Sequence, residues 1–493
     1  MSQAHPNGHH QLLRCLIVGA GEAGAAMARE LRRVPSFGLQ PVGFLDDNPS
    51  QKRVQGLHIL GPTTALPEVA EKLGVDVVVL AIPSLPAPAV RRLAAAASAA
   101  GVSVRYLPSF VAALERDARL GDLRHLDVSE LLGRNEVHVV RQASRKIIDG
   151  KRVLVTGAGG SIGSELCRQI RGFGPSALYS LDHDESNLHR LQLHLDGRAL
   201  LQSDELIIAD IRDAARIRQI FRTIKPEVVF HAAAHKHLPL LERHPCEGVK
   251  SNVMGTRHLV EAALETRVER FILISTDKAA DPVSILGATK RLAEMILQTY
   301  AGGATRFASV RFGNVLGSRG SFLTTLSDQI ENGEPVTITH PDVTRFFMTV
   351  EEAVGLVIEA GTMAQAGEIF VLDMGDPVRI VDLVRQYAAQ LHLDERDLII
   401  QYTGLRPGEK LNEALFSATE ERTATSHPKI WAAQAPRPDE DFHELIDDLC
   451  YAAMANRPHA EVRRCIARLL HDFAPQEVLD AERALAAPYP DGF

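Results

Sequence analysis

Short, nearly continuous apolar blocks recur along this chain, separated by stretches whose apolar residues fall at helical spacing. Early in the chain they are Cys15–Val18, Val42–Leu45, Val75–Ile82 and Val102–Leu107, with helical stretches such as Ala87–Ala100 between them. A second series follows at Val153–Thr156, Ala177–Leu181, Leu206–Ala209, Val228–His231, Phe271–Ser275 and Phe307–Phe312. Apolar runs without in–out alternation fit strands buried on both faces, as in parallel sheets held between helix layers. Regular strand–helix alternation predicts an α/β fold.

Two of the blocks run into glycine loops that open helices. Cys15–Met27 places Gly19, Gly21 and Gly24 in a G-x-G-x-x-G loop, and Arg152–Leu166 places Gly157, Gly160 and Gly163 in G-x-x-G-x-x-G. Glycines let the backbone turn tightly and approach a pyrophosphate, while the helix amino terminus supplies N–H donors and partial positive charge. The loops predict two Rossmann-like, doubly wound domains in tandem. The first spans 12–108, and 109–150 is a charged, irregular connector. The larger second unit covers 151–416, and its smaller carboxy-terminal lobe is formed mainly by 313–350 and 403–416, where Gly, Pro, Thr and Arg rise. Residues 417–493 read as a surface-helical tail without chemistry.

In the second unit Asp182 ends the strand after the glycine loop, where a carboxylate can accept hydrogen bonds from ribose hydroxyls and repel a 2′-phosphate. That favours NAD as cofactor, with NADP the alternative. Ser161 and Ile162 belong to the same loop. Asp210 and Ile211 follow the next strand, where an Asp can reach the adenine amino group and an Ile can cover the ring. Ala232, Ala233 and Ala234 suit backbone pressed against a cofactor. Gly19, Gly21, Gly24 and Asp46 form a possible second nucleotide site, the alternative being an empty oligomerisation module.

Composition narrows the classes. A net charge of −8 over 493 residues leaves no global basic footprint for nucleic acid. The cysteines are scattered without a CxxC pair, and the histidines lack partners at ligand spacing, so no metal is expected. No apolar run approaches the ~20 residues of a membrane helix. A cytoplasmic homo-oligomer is expected.

Ile274–Lys290 reads I-S-T-D-K-A-A-D-P-V-S-I-L-G-A-T-K. It puts Thr276, Asp277 and Lys278 past a buried strand and Lys290 on the next helix, sharing a face with Leu286. With TGAGGSIGSEL (Thr156–Leu166), HAAAHKHLPLLE (His231–Glu242), NVMGT (Asn252–Thr256), LGATKRLAE (Leu286–Glu294), RFGNVLGSRGS (Arg311–Ser321), HPDVTRFFMT (His340–Thr349) and TGLRPGEKL (Thr403–Leu411), the chain resembles extended short-chain dehydrogenase/reductase enzymes. More narrowly, it resembles the bacterial polysaccharide-biosynthesis UDP-N-acetylglucosamine 4,6-dehydratases. GFLDDNP at Gly43–Pro49 resembles the extra domain of that family's long members. Those usually carry membrane helices first, and none is expected here.

The resemblance implies a redox-neutral dehydration of a UDP-sugar, with the cofactor ending as NAD. It further implies that Thr276 hydrogen-bonds the 4-oxygen, Asp277 protonates the leaving 6-hydroxyl, and Lys278 removes the carbon-5 proton or stabilises the enolate. Lys290 would hold the nicotinamide ribose. Adjacent cations are expected to favour neutral Lys278. His235, Lys236, Asn314, Arg319, Arg345, Arg406 and Glu409 are the expected substrate contacts, with arginines suited to diphosphate. The usual tyrosine of such enzymes is replaced by Leu286, where long members often have Met. A 4-epimerase, or a non-catalytic nucleotide-binding sensor or scaffold, are the other readings.

Overall fold

In a computed structural model of the protein, the described residues are 12–34, 38–48, 52–82, 102–106, 124–125, 140–316, 334–390 and 398–471, with isolated positions at 89–100 and 322–329, and Phe473. The chain divides into two compact units, Met1–Val139 with Ala389–Leu393, and Val140–Ala388 with Asp394–Phe493. In the first, β1 (Leu13–Val18), α1 (Glu22–Arg33), β2 (Leu39–Leu45), α2 (Leu66–Leu73), β3 (Val77–Leu80), β4 (Ser103–Tyr106) and β5 (Arg124–His125) build a sheet of order β2-β1-β3-β4-β5. All neighbours are parallel except β4 and β5. β5 comes from the expected connector, whose intervening residues lie largely outside the described set. So does most of Ala87–Ala100.

In the second unit, β6 (Arg152–Thr156), α3 (Ser161–Arg171), β7 (Ala177–Asp182), α4 (Glu185–Asp196), β8 (Leu206–Ile208), α5 (Ala214–Ile224) and β9 (Val228–His231) alternate as the apolar blocks predict. A π-helical turn, Val249–Met254, feeds α6 (Gly255–Thr266). Then come β10 (Arg270–Ile274), α7 (Ile285–Thr299), β11 (Arg306–Arg311), α8 (Val350–Met363), β12 (Glu368–Leu372) and α9 (Ile380–Gln390). Their strands form a parallel sheet of order β8-β7-β6-β9-β10-β11-β12. The order reverses at β6, and ligands of open α/β sheets bind at such switch points.

The expectation of a surface-helical tail over 417–493 needs correcting. β13 (Glu421–Ala424) and β14 (Ile430–Gln434) extend the sheet, β14 pairing antiparallel with both β12 and β13. α10 (Phe442–Met454) and α11 (His459–Leu469) bury Phe442, Ile446, Leu449, Val462 and Ile466 in the same core as Val253, Leu259 and Leu292. Their apolar residues recur at helical spacing, so one face of each can enter the core. No helix of the described residues is long and apolar enough to cross a membrane.

Candidate functional site

The glycine loop between β6 and α3 leaves no room for side chains. A Cβ at Gly163 would lie 2.0 Å from the Gly157 carbonyl oxygen, and one at Gly157 2.6 Å from the Ala233 nitrogen. Gly157 also has φ +66°, which favours glycine. The backbone is thus pressed onto the Ala232–Ala234 stretch. Asp182 Oδ2 accepts from Gly159 N at 2.9 Å and its Oδ1 from Asp184 N at 3.0 Å, so the carboxylate also braces the loop. A cavity of about 190 Å³ is lined by Gly157, Gly160, Asp182, Asp210, Ile211 and Ala232–Ala234. Asp210 is gripped by Arg212, whose Nη2 donates to Oδ2 at 2.6 Å and Nε to the same oxygen at 2.8 Å.

A larger cavity of about 700 Å³ shares Gly160, Ala232, Ala234 and His235 with the first. Ser161, Ile162 and Gly163 from the start of α3 line it, as do Thr276, Lys278, Leu286 and Lys290. Two adjoining cavities running from Asp182 past a helix amino terminus to Lys290 fit an extended dinucleotide.

Asn252 in the π-helical turn clamps this wall. Its Oδ1 accepts from His235 N at 2.9 Å, while Nδ2 donates to His235 O at 3.1 Å and to Thr289 Oγ1 at 3.0 Å. His231 is buried between Thr156 and Thr256, at 2.8 and 3.0 Å. The Thr256 hydroxyl donates to Asn252 O at 2.7 Å, so it accepts from His231 Nε2–H, and Nδ1 accepts from Thr156. Burial, with the charge of Lys290, pushes this imidazole down to about 3, so it is neutral.

Thr276 and Lys278 face the cavity, but Asp277 does not line it. Its Oδ1 accepts from Thr276 Oγ1 at 2.8 Å and from Lys278 Nζ at 2.9 Å, and its Oδ2 is buried without a hydrogen-bond partner. The expectation of a neutral Lys278 does not hold. Burial pulls the ammonium down, but Asp277 and Glu413 outweigh it and hold its pKa above the ordinary lysine value. Sequence adjacency displayed the cations and hid Glu413, which comes from the carboxy-terminal lobe. Lys290 is the lysine that moves the other way: burial, opposed by Glu294, lowers it to about 8. Its Nζ donates to the Ile274 carbonyl.

Among the expected substrate contacts, His235, Lys236, Asn314 and Arg406 line the larger cavity. Asn314 Oδ1 accepts from Lys278 Nζ at 3.4 Å. Arg345 and Glu409 do not line it. They pair with each other at 2.7 Å, and Arg345 also donates to the carbonyls of Thr344 and Leu411, so its fork is committed to holding two segments of the lobe together. Arg319 lies outside the described residues. In the first unit Gly19 has φ +100°, and Asp46 accepts from Ala20 N at 2.7 Å and Asn48 N at 2.8 Å, which fixes the loop. No group of His, Cys, Asp or Glu that could hold a metal occurs among the described residues.

Sequence reasoning passed over Asn252, His231, Glu294 and Glu413 as individual site residues. Asn252 and Glu294 sit within matched motifs, as polar residues on otherwise apolar helical faces, which is the signal that could have found them.

A doubly wound sheet with a glycine loop at its reversal, Thr-Asp-Lys after a central strand and a lysine on the next helix define a short-chain dehydrogenase/reductase. The chain belongs to the polysaccharide biosynthesis protein family, which matches residues 153–435, and residues 3–108 match a CoA-binding domain. It is 42% identical over 446 residues to the probable polysaccharide biosynthesis protein EpsC of Bacillus subtilis, covering 88% of this chain and 74% of that one. It is 31% identical over 313 residues to a UDP-N-acetylglucosamine 4,6-dehydratase (inverting) of Campylobacter jejuni, covering 62% and 89%. A UDP-glucose 4-epimerase of Rickettsia rickettsii is also 31% identical, over 278 residues covering 55% and 79%. Among solved structures, Pen from Bacillus thuringiensis aligns with a TM-score of 0.54 at 30% identity, covering 59% of this chain and 91% of that one.

Proposed function

We propose that this protein is a nucleotide-sugar 4,6-dehydratase acting on UDP-N-acetylglucosamine, with NAD as resident cofactor. The observation that carries the reading is the cavity wall made by Thr276, Lys278, Lys290 and Leu286. It holds a cation beside a buried carboxylate, a second lysine lowered to about 8, and no phenol at the usual tyrosine position. A 4-epimerase needs only reversible oxidation at one carbon, for which the tyrosine–lysine pair suffices. An additional acid and cation are what water loss requires.

A dinucleotide held by the glycine loop, Asp182 and Ala232–Ala234 would supply the hydride acceptor and donor that a redox-neutral dehydration needs. Thr276 Oγ1 meets the 4-oxygen and passes protons to and from Asp277 through their 2.8 Å hydrogen bond. Asp277 is thereby the proton source for the leaving 6-hydroxyl, acting from behind the wall. Lys278, held charged, stabilises the enolate. The Thr276–Asp277 pair takes the 4-hydroxyl proton that later leaves with the 6-hydroxyl as water, and Lys290, in its neutral form, takes the carbon-5 proton and returns it to that carbon. Lys236 and Arg406 offer positive charge to the diphosphate, and His235 and Asn314 hydrogen bonds to the sugar nucleotide. Asp182, already bracing the glycine loop, keeps acceptor capacity for a ribose hydroxyl.

Incubation of the purified protein with UDP-N-acetylglucosamine, followed by mass spectrometry, tests the reading. A product lighter by one water supports it. Where the mass is unchanged, proton NMR of the recovered sugar nucleotide decides: a new isomer indicates epimerisation, and unaltered substrate rejects both. Denaturing the protein and identifying the released dinucleotide tests the cofactor, since recovery of NADP alone rejects the Asp182 argument.

A further inference from the structure

Behind the wall formed by Thr276 and Lys290 lies a largely buried charge chain that the chemistry above does not use. Arg311, at the end of β11, is sandwiched between two carboxylates. Its Nε and Nη2 donate to Glu294 at 2.8 and 2.7 Å, and its Nη1 and Nη2 to Glu420 at 2.7 and 2.9 Å. The side chains of Arg311 and Glu294 are 0% exposed and that of Glu420 2%. Arg291 closes the set, at 3.1 Å from Glu294 and 4.0 Å from Glu420. Two guanidinium groups thus balance two carboxylates.

The chain touches the candidate site at two points. Glu294 lies one helical turn beyond Lys290 on α7, and its Oε1 accepts from Ser275 Oγ at 2.6 Å. Ser275 sits between Ile274, whose carbonyl receives the Lys290 ammonium, and Thr276, which lines the cavity. At the far end, Glu420 also accepts from Ser417 N at 2.9 Å, so the start of the carboxy-terminal segment is anchored to the same group.

We propose that Glu420 is a positioning residue of the candidate site: through Arg311 and Glu294 it fixes the turn that carries Lys290 and balances the charge behind that lysine. The inference rests on Lys290 being a working group of the proposed dehydratase. Glu294, one turn along the same helix, is the charged group that acts on Lys290 directly, and neutral His231 on β9 faces it. Arg291 and Arg311 reach the lysine through Glu294, and Glu420 through Arg311. Removing Glu420's charge leaves one excess positive charge in the buried set, and removing Arg291's leaves one excess negative charge. In a site sheltered from water these act on the lysine with opposite sign.

The test measures Lys290 itself rather than turnover. Competitive labelling of amines with acetic anhydride across pH, read by peptide mass spectrometry, gives the titration midpoint of Lys290 in wild type, Glu420→Gln and Arg291→Gln. Thermal melts establish that each protein is folded. The midpoint is expected to fall by about half a pH unit or more in Glu420→Gln and to rise in Arg291→Gln. Unchanged midpoints in the folded variants overturn the proposal, and so do shifts of the same sign in both, the mark of general loosening. If Glu420→Gln does not fold, Arg291→Gln decides alone, because its side chain is at the partly exposed end of the set (12% exposed). Water loss from UDP-N-acetylglucosamine is assayed on the same preparations. Opposed shifts in the two variants, with a wild type that releases no water, keep the charge link from Glu420 to Lys290 and reject the dehydratase reading.

Discussion

Replacing Asp277 with Asn removes one charge and almost no volume, which isolates the electrostatics of the Asp277–Lys278 pair. Their atoms stand 2.9 Å apart, with side-chain exposures of 0% for Asp277 and 18% for Lys278. The gross attraction at that separation is about 6 kcal/mol for an effective dielectric near 20. Desolvation offsets much of it, and removing one partner of a buried pair costs roughly 3–5 kcal/mol. Glu413 remains as a second carboxylate beside Lys278, which puts the expected loss at the lower end, about 3 kcal/mol. In melting temperature that is roughly 5–10 °C.

The pH dependence of that loss follows from the raised pKa of Lys278. A lysine whose folded value lies above its unfolded one contributes stability that is fully present below the ordinary lysine pKa. It is lost as pH climbs through the folded value. The gap in melting temperature between wild type and Asp277→Asn should therefore be constant across neutral pH and close only under strongly alkaline conditions. The rate of water loss should fall on the order of 10²-fold or more, the worth of a positioned acid. Scanning fluorimetry over pH and mass-spectrometric rates measure both. A variant that melts with wild type at pH 7 and keeps its rate would refute the reasoning at its root.

Leu286→Met should leave dehydration nearly intact. If Leu286→Tyr instead raises activity from near zero to easily measured, the natural protein is a lapsed enzyme and the tyrosine-independent mechanism fails. Lys290→Met should separate stability from function. With its folded pKa lowered to about 8, the burden of burying this lysine is full below that pH and relieved as pH rises towards the unfolded value. The variant should be more stable at pH 7, by up to about 3 kcal/mol, while water loss falls at least ~10²-fold, and the gain should vanish at alkaline pH in melts. Gly163→Ala places a methyl 2.0 Å from the Gly157 carbonyl, which is backbone and cannot swing aside. It should lower stability by about 1–3 kcal/mol and leave little dinucleotide recoverable from the denatured protein, where full recovery would contradict the close approach argued for the loop.

The parallel core was legible because its signals are local. Val153–Thr156 and Val228–His231 are apolar enough on both faces to announce buried strands, and the glycine loops announce themselves by spacing. The carboxy-terminal segment was not. β13 reads E-R-T-A and is exposed along most of its length, and it is a strand only because β14 supplies a partner. Nor was the charge state of the lysines legible. Lys278 and Lys290 are alike as letters and both largely buried, and the difference comes from Asp277 and Glu413 beside the first, where the second has Glu294 alone. Arg345 and Glu409 were credible substrate contacts until folding brought them to 2.7 Å of each other. Spacing reveals which residues share a helix face but not which distant charges meet.

The place of β14 in the sheet has a consequence for how the protein is born. A ribosome delivers β6 through β12 first, and those strands can pair before Ile430 exists. Until it emerges, one edge of β12 has no partner, and Ile369 and Val371, which pack with Ala433 in the finished fold, lack that cover. The intervening stretch, 373–429, is about sixty residues, or roughly 3–12 s of synthesis at ~5–20 residues per second. An open apolar strand edge is a template for other chains throughout that interval. The Glu294–Arg311 pair, already bidentate, lets the parallel core balance its buried charge before Glu420 arrives. Yield in a living cell is thus set by a race between translation of the last strand and capture of the waiting edge, which slower growth temperature or a holding chaperone would shift.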